Sequence, residues 1–432
     1  METAVFLLIV FFGLMLLGMP IPYAMLATSY LTLYFFHPFI PTVIVPQRVF
    51  AGVNSWPLLC IPFFMLAGEL MGMTSIFDRL LKLSRAIVGH IRGSLSHINV
   101  MVSIMFAHMT GSAVADTTIC GSILIPAMNK EKYPKDWTVA VTVSSSCLGV
   151  IFPPANQMII AALVTQQSIV ALFAAGFIPG AITGVFFLLI SFFFAYWLKF
   201  PVSGSMTWRE RGRAIWESLP AMGIPIVIMG GIFFGVFTPT EAANVAVFYV
   251  VLVGIFALRT FPSWKQVYTS LTKVCELVGC VLFCLGAAII LGWIMAIAQV
   301  PSLLGAWILS VTTNPTLIII MMITLFLLVG TFMDPLPNIL IFTPIFLPIA
   351  EAIGMGRLHF TVVMVYAFII GLVTPPIGSV LYVGVALSGL SVDKFAKALI
   401  PFIVAMIIVC FLMAFIPGIV TLGPRLLGFY VR

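Results

Sequence analysis

Two acidic residues stand alone between long apolar runs: Asp116, closing Gly111-Ser112-Ala113-Val114-Ala115-Asp116, and Asp334, closing Gly330-Thr331-Phe332-Met333-Asp334. An ionisable group in such surroundings is a functional candidate, because a carboxylate is costly there unless a cation, a donor or water meets it. The competing role is structural, an N-cap for the helix that follows, and the two roles can coexist. Ten residues after each tip comes a proline, Pro126 or Pro344, so the copies lie 218 apart at both positions. Further on, Gly149-Val150-Ile151-Phe152-Pro153-Pro154 and Gly371-Leu372-Val373-Thr374-Pro375-Pro376 repeat at an offset of 222. Adjacent prolines remove helical hydrogen bonds and unwind the helix. Unwinding bares carbonyls suited to Na⁺ and creates a half-helix N-terminus suited to an anionic group. Ser144, Ser145 and Ser146 add hydroxyls just before the first break, although serine in an apolar helix often bonds only its own backbone.

The elements that position these residues are helices in a bilayer. Of 432 residues, 62% are apolar and 8% charged, against about 25% charge in soluble domains. Positions 3–47, 137–198 and 277–333 carry no charged residue. At about 20 residues per span, roughly ten to fourteen spans and half-spans fit. An N-terminal run that stays apolar from residue 3 to 36 is too long for a signal peptide and reads as a retained span. Unbroken runs such as Phe186–Trp197 exclude the alternating pattern of a barrel. The net charge of +7 sits in loops, where it sets topology and implies no nucleic-acid partner. His90, His97 and His108 share a helical face but have no carboxylate or thiolate at ligand spacing, and HExxH is absent. The seven cysteines read as small buried hydrophobes. Without a phosphate-binding loop, an ion gradient is the simplest power source.

The chain divides at a basic linker, 199–213, into 1–198 and 214–432. Each part has an amphipathic arm: about 74–92, with Ile76, Leu80, Leu83 and Ile87 apolar, and about 262–277, with Val267, Leu271, Val274 and Leu277 apolar. The apolar runs flanking each tip are short for full spans, so re-entrant hairpins are expected at about 95–128 and 316–351. Broken helices are expected at about 137–165 and 360–388. Gly176, Gly180 and Gly184 form a face for close helix packing. Glu69, Glu241 and Glu276 lack matched partners and read as interfacial or helix-pairing groups. The fold class is an all-α polytopic membrane protein of two inverted structural repeats.

These residues resemble a known family, the large membrane subunit of tripartite ATP-independent periplasmic (TRAP) transporters, the DctM-type permease. The resemblance covers nearly the whole chain. It is carried by Pro57 to Gly68, by Gly89-His90 through the Asp116 tip to Ile125-Pro126-Ala127-Met128, and by the Asp334 tip with Thr374-Pro375-Pro376-Ile377-Gly378. It implies a multi-pass protein of the bacterial inner membrane. Its implied partners are a small four-helix membrane subunit and a soluble periplasmic binding protein. It further implies Na⁺-driven uptake of an organic acid by an elevator movement, with the motif segments moving against a scaffold of outer helices and arms. No cofactor is implied beyond Na⁺ as coupling ion. The Na⁺ candidates are Ser112, Ala113, Asp116, Ser144, Ser145, Gly149 and Pro153, with Gly330, Thr331, Met333, Asp334, Gly371, Thr374 and Pro375. The substrate candidates are Ser112, Asn156, Thr374 and Gly378. His108 and Asn156 depart from the family pattern and are candidates for tuning ion or substrate choice.

Three alternatives remain. A stand-alone Na⁺- or H⁺-coupled anion transporter of similar build would need no binding protein. A channel would lack coupling. An intramembrane enzyme has only Ser112 near Asp116 to offer, with no positioned His or Lys. No Arg or Lys lies inside the four motif segments, so the carboxylate is left to half-helix N-termini and hydroxyls, or to a cation reaching in from elsewhere.

Overall fold

The computed structural model describes residues 2–201, 206–375 and 377–429, with the side chains of residues 107–110 and 309 outside the description. His108 as a tuning side chain, Pro376 and the middle of the 199–213 linker therefore lie outside the described residues. Among the described residues every regular element is helical. The first part runs α1 (Glu2–Leu16), α2 (Ile21–Phe36), α3 (Ile44–Val53), α4 (Cys60–Gly72), α5 (Ile76–Val88), α6 (Ser94–Thr110), α7 (Ala113–Lys130), α8 (Lys135–Ser146), the single turn α9 (Leu148–Ile151), α10 (Asn156–Thr165) and α11 (Ile169–Trp197). The second runs α12 (Trp208–Phe233), α13 (Pro239–Leu252), α14 (Trp264–Ile297), α15 (Val300–Val311), α16 (Pro315–Gly330), α17 (Pro335–Ala352), α18 (Arg357–Gly371), α19 (Ser379–Ser388), α20 (Val392–Phe415) and α21 (Pro417–Leu426). Among the described residues, six helices are long and apolar enough to cross a membrane, or up to eight if each bent pair counts as one span. One bent pair is α8–α9 with α10, turned by 41° at Phe152–Ala155, where the double proline falls.

Local chemistry sets the helix starts. Thr207 with Glu210, Thr238 with Glu241, and Ser263 with Gln266 form capping boxes at α12, α13 and α14, each satisfying otherwise orphaned N–H groups. Glu241 is thus held by its own helix and does not pair helices. The second amphipathic segment, 262–277, is not a separate arm. It opens the continuous 34-residue α14, because nothing between residues 277 and 297 breaks the helix. In the first arm Ile76, Leu80 and Leu83 are buried, but Ile87 is 43% exposed, which narrows the apolar face. That arm packs on α12 through the Arg79–Glu217 ion pair and a Ser218 hydroxyl donating to the Arg79 carbonyl at 2.8 Å. Cys275 and Cys280 are exposed on α14, unlike the other five cysteines.

The centre is built from α8 and α18, buried from Trp137 to Ser146 and from Leu358 to Gly371. From the tips onward, matching elements follow in the same order at a nearly constant spacing. Ala113 and Pro335 open α7 and α17, 222 apart; Lys135 and Arg357 open α8 and α18, again 222 apart; Ile169 and Val392 open α11 and α20, 223 apart. This spacing corrects the pairing of the two aspartates. Asp334 is the N-cap of α17, the place that Ser112 holds on α7. Asp116 lies one turn inside α7, where its positional counterpart is Asn338. The 218 offset matches residue type and not place.

Glycines permit the closest contacts. A Cβ at Gly176 would lie 2.9 Å from the Ile151 carbonyl, one at Gly180 2.9 Å from the Phe152 ring, and one at Gly184 2.8 Å from Ile104, so this face of α11 seats the first break. At the second, a Cβ on Gly371 would lie 2.1 Å from the Gly330 carbonyl carbon: the end of α16 meets the end of α18 backbone to backbone. Gly371→Ala is expected to destabilise the protein by about 1–3 kcal/mol through overpacking. Gly279→Ala, at a helical position with nothing within 4 Å, should be neutral or stabilising by up to about 1 kcal/mol. Thermal unfolding of the detergent-solubilised variants, followed by fluorescence-detected size exclusion, separates the two.

Candidate functional site

The first break rests on a hydrogen-bonded relay between α6 and α8. Ser103 donates to Ser145 at 3.1 Å, Ser145 to the Asn99 carbonyl oxygen at 3.0 Å, Asn99 to the Thr142 hydroxyl at 2.7 Å, and Thr142 to the Thr138 carbonyl at 2.8 Å. Every member is buried. Ser146 bonds back to the Thr142 carbonyl at 2.8 Å, the local satisfaction expected of helical serines, whereas Ser144 Oγ has no partner. Asp116 is 0% exposed. Its Oδ1 accepts from the Cys120 thiol at 3.2 Å, and its Oδ2 is unpartnered. Ala113 and Gly149 are buried beside them, as is Pro153, which joins Pro154 through a cis peptide. At the positional counterpart of Asp116, buried Asn338 donates to the Met333 carbonyl at 3.1 Å and leaves its own Oδ1 unpartnered. Buried polar oxygens without partners are rare and need an occupant or a purpose.

The second tip is more open. Asp334 is exposed, and one carboxylate oxygen accepts the Leu336 N–H at 3.2 Å, so the cap role is present at this aspartate. Thr331 and Thr374 turn their hydroxyls back onto the Leu328 and Ile370 carbonyls, each at 2.7 Å. Met333 and Pro375 are half-buried. Gly330 and Gly371 make the backbone contact described above, and a Cβ on Gly378 would lie 2.3 Å from the Leu372 carbonyl.

A cavity of about 610 Å³ joins the two tips. Gly111, Ser112, Ala115 and Thr118 come from the first tip, Asn156 and Gln157 from the start of α10, and Asp334 and Leu336 from the second tip. The opposite wall is α4, with Ile61, Met65, Gly68 and Glu69, and α14, with Lys273, Val274 and Leu277. Three helix N-termini therefore reach this space, that of α17 through its N-cap Asp334 and Leu336. Ser112 caps α7 by accepting the Ala115 N–H at 3.4 Å, and α10 starts at Asn156 without a side-chain cap. Such N-termini favour an anion. Of the four substrate candidates, Ser112 and Asn156 line the cavity; Thr374 and Gly378 are not among its lining residues.

Comparison with known proteins places this geometry. A family profile described as "Tripartite ATP-independent periplasmic transporter, DctM component" matches residues 8–419. The chain belongs to this family. It is 35% identical over 426 residues to the protein YgiK of Salmonella typhimurium, covering 97% of each chain. It is 32% identical over 418 residues to the sialic acid TRAP transporter large permease protein SiaM of Vibrio cholerae, covering 96% of each. Among solved structures, the Alcanivorax borkumensis YdaH transporter shares the fold, with a TM-score of 0.53 at 12% identity over 82% of this chain and 87% of that one. The DctM component is a multi-pass inner-membrane permease subunit and not an enzyme. TRAP large permeases work with a small membrane subunit and a periplasmic binding protein.

Within this TRAP permease the motif pattern missed the Glu69–Lys273 pair, whose Nζ–Oε1 distance is 2.6 Å. Glu69 does pair helices, as its isolation suggests, but its partner lies 204 residues away and faces the cavity. Only the amphipathic pattern of 262–277 pointed to Lys273, and it did so as a surface residue. Replacing Asn99 by Leu or Ser145 by Ala should each cost about 1–3 kcal/mol, since both leave buried partners unsatisfied. The double variant should lose less than the sum, with a coupling of about 0.5–3 kcal/mol, as read from reversible unfolding in mixed micelles.

Proposed function

We propose that this chain is the permease through which an organic acid, delivered by a periplasmic binding protein and with a small four-helix subunit alongside, enters the cell together with Na⁺. The observation that carries the reading is the cavity shared by both tips, the first break and the outer helices α4 and α14. A carboxylate there meets the N-termini of α7 and α10, with Ser112 and Asn156 beside it. Sialic acid, the substrate in SiaM's name, belongs to this class of compound.

Na⁺ takes oxygen ligands, and several lie without protein partners: Asp116 Oδ2 and Asn338 Oδ1 one turn past the tips, and Ser144 Oγ on α8. Asp334 adds a carboxylate at the cavity. The ordered correspondence of α7 with α17, α8 with α18 and α11 with α20 supports two structural repeats, which we read as inverted. An elevator follows naturally: α6–α10 and α16–α19 move as the transport body, and the outer helices with the first arm form the scaffold.

The test is uptake into proteoliposomes holding the chain with its small subunit, with and without a Na⁺ gradient and the binding protein. Uptake of a carboxylate that needs both is the expected result. Asp334→Ala or Asp116→Ala in folded protein should raise the Na⁺ concentration for half-maximal rate about tenfold or more, the equivalent of about 1.4 kcal/mol. Uptake without the binding protein would favour a stand-alone anion transporter. Unchanged Na⁺ dependence in both variants would reduce the aspartates to structural groups.

A further inference from the structure

Three charged side chains line the cavity among the described residues: Glu69 on α4, Lys273 on α14 and Asp334 at the second tip. An entering organic acid adds a negative charge to a space that already holds two carboxylates and one ammonium. Helix N-termini and amides soften this, but full positive charge is available from one side chain. Lys273 is also well placed to change partners. Its side chain is 58% exposed, against 23% for Glu69, so the ammonium is tethered at one edge and open at the other. An ammonium has three donors; the pair with Glu69 engages one of them, and the side chain lines the cavity. Ion pairs this accessible are weakly held, so a carboxylate arriving beside Asn156 and Ser112 can compete with Glu69 on nearly equal terms.

We propose that Lys273 is the cation that receives the carboxylate of the transported anion, and that Glu69 holds it in reserve until the anion arrives. This rests on the cavity being the organic-acid site. Both residues sit on outer helices, so the contact belongs to the state in which the cavity faces α4 and α14, and it breaks when the moving segments carry the anion away. Lys273 is therefore a recognition residue for loading, and Glu69 its competitor. A purely structural ion pair makes a different prediction, because loss of either partner would then do equal harm.

The experiment uses the membrane complex in nanodiscs without the binding protein, after wild-type uptake has been established with N-acetylneuraminate and succinate as probes. Equilibrium binding of the transported probe is compared with that of its amide, the diamide in the case of succinate, which keeps the shape and removes the charge. Lys273→Gln should weaken binding of the acid at least tenfold, leave the amide within about twofold, and so abolish the preference for the acid. Lys273→Arg should keep that preference. Glu69→Gln should bind the acid as tightly as wild type or more tightly, and this variant retains a testable outcome even if Lys273→Gln fails to fold. Equal weakening by Lys273→Gln and Glu69→Gln, or an acid preference that survives Lys273→Gln, overturns the proposal while leaving the functional reading intact. Failure of the wild-type complex, with its binding protein and a Na⁺ gradient, to take up any of a broad panel of organic acids overturns both.

Discussion

A helix that stops inside an apolar surround leaves carbonyls and N–H groups that lipid cannot satisfy, and this architecture follows from where those groups are allowed to go. Irregular backbone at such depth is tolerated only against protein or a wet cavity. The two breaks and two tips of this TRAP permease obey that constraint by different means. Around the first break the protein supplies the partners: α11 presses its glycine face onto Ile151 and Phe152, and the Ser103–Ser145–Asn99–Thr142 relay ties α6 to α8. Around the second, Gly330 lies directly against Gly371, so one helix end covers another. What the protein leaves uncovered is concentrated at α7, α10 and the Asp334 tip, where the cavity opens.

The two halves are therefore alike in layout and unlike in chemistry. Ser112 and Asp334 hold the same capping place, one neutral and one charged. One turn further in the order reverses, with the carboxylate of Asp116 opposite the amide of Asn338. Each tip carries one acid and one neutral polar group, but the acid is buried in the first and faces the cavity in the second. On the proposed reading this divides the labour: a cation near Asp116 stabilises the packed end of α7, while a cation near Asp334 changes the charge that the substrate meets.

Much of this was legible in the residues. The tips and the first double-proline break fall where Gly, Ser, Asp and Pro interrupt apolar runs, and Gly176, Gly180 and Gly184 announced a packing face that the first break now occupies. Asp116 and Asp334 match in residue type at an offset of 218, whereas place in the fold repeats at 222; that spacing is set by capping geometry, a property of backbone dihedrals that residue types do not report. Amphipathicity over 262–277 shows a change of face and not a break, so the pattern does not report that this segment opens the continuous α14. Lys273 was invisible as a cavity residue because its partner Glu69 is 204 positions away, and no local pattern reports a contact of that range. Glu241, read as interfacial or helix-pairing, is the opposite case: it is exposed and held within its own helix. Its partner, Thr238, is three residues away, a distance that a search for helix-to-helix pairing passes over.

The charge in the cavity then bears on coupling. If a cation at Asp334 makes the cavity more favourable for an anion, linkage requires the anion to make the site more favourable for the cation by the same factor. No mechanical wire between the tips is needed for that reciprocity, because both ligands act on one electrostatic field in a space of about 610 Å³. The Glu69–Lys273 pair fits this scheme as a charge held neutral until it is needed. With Lys273 bound to Glu69, the unloaded wall presents little net charge; once the ammonium turns to the substrate, the Glu69 carboxylate is left unpaired on α4. On the proposed reading, departure of the anion restores the original pair, and α4 and α14 return to their starting state without retaining the cargo. A fixed, fully exposed lysine would bind the acid as well but would also hold it, and a carrier must release what it binds.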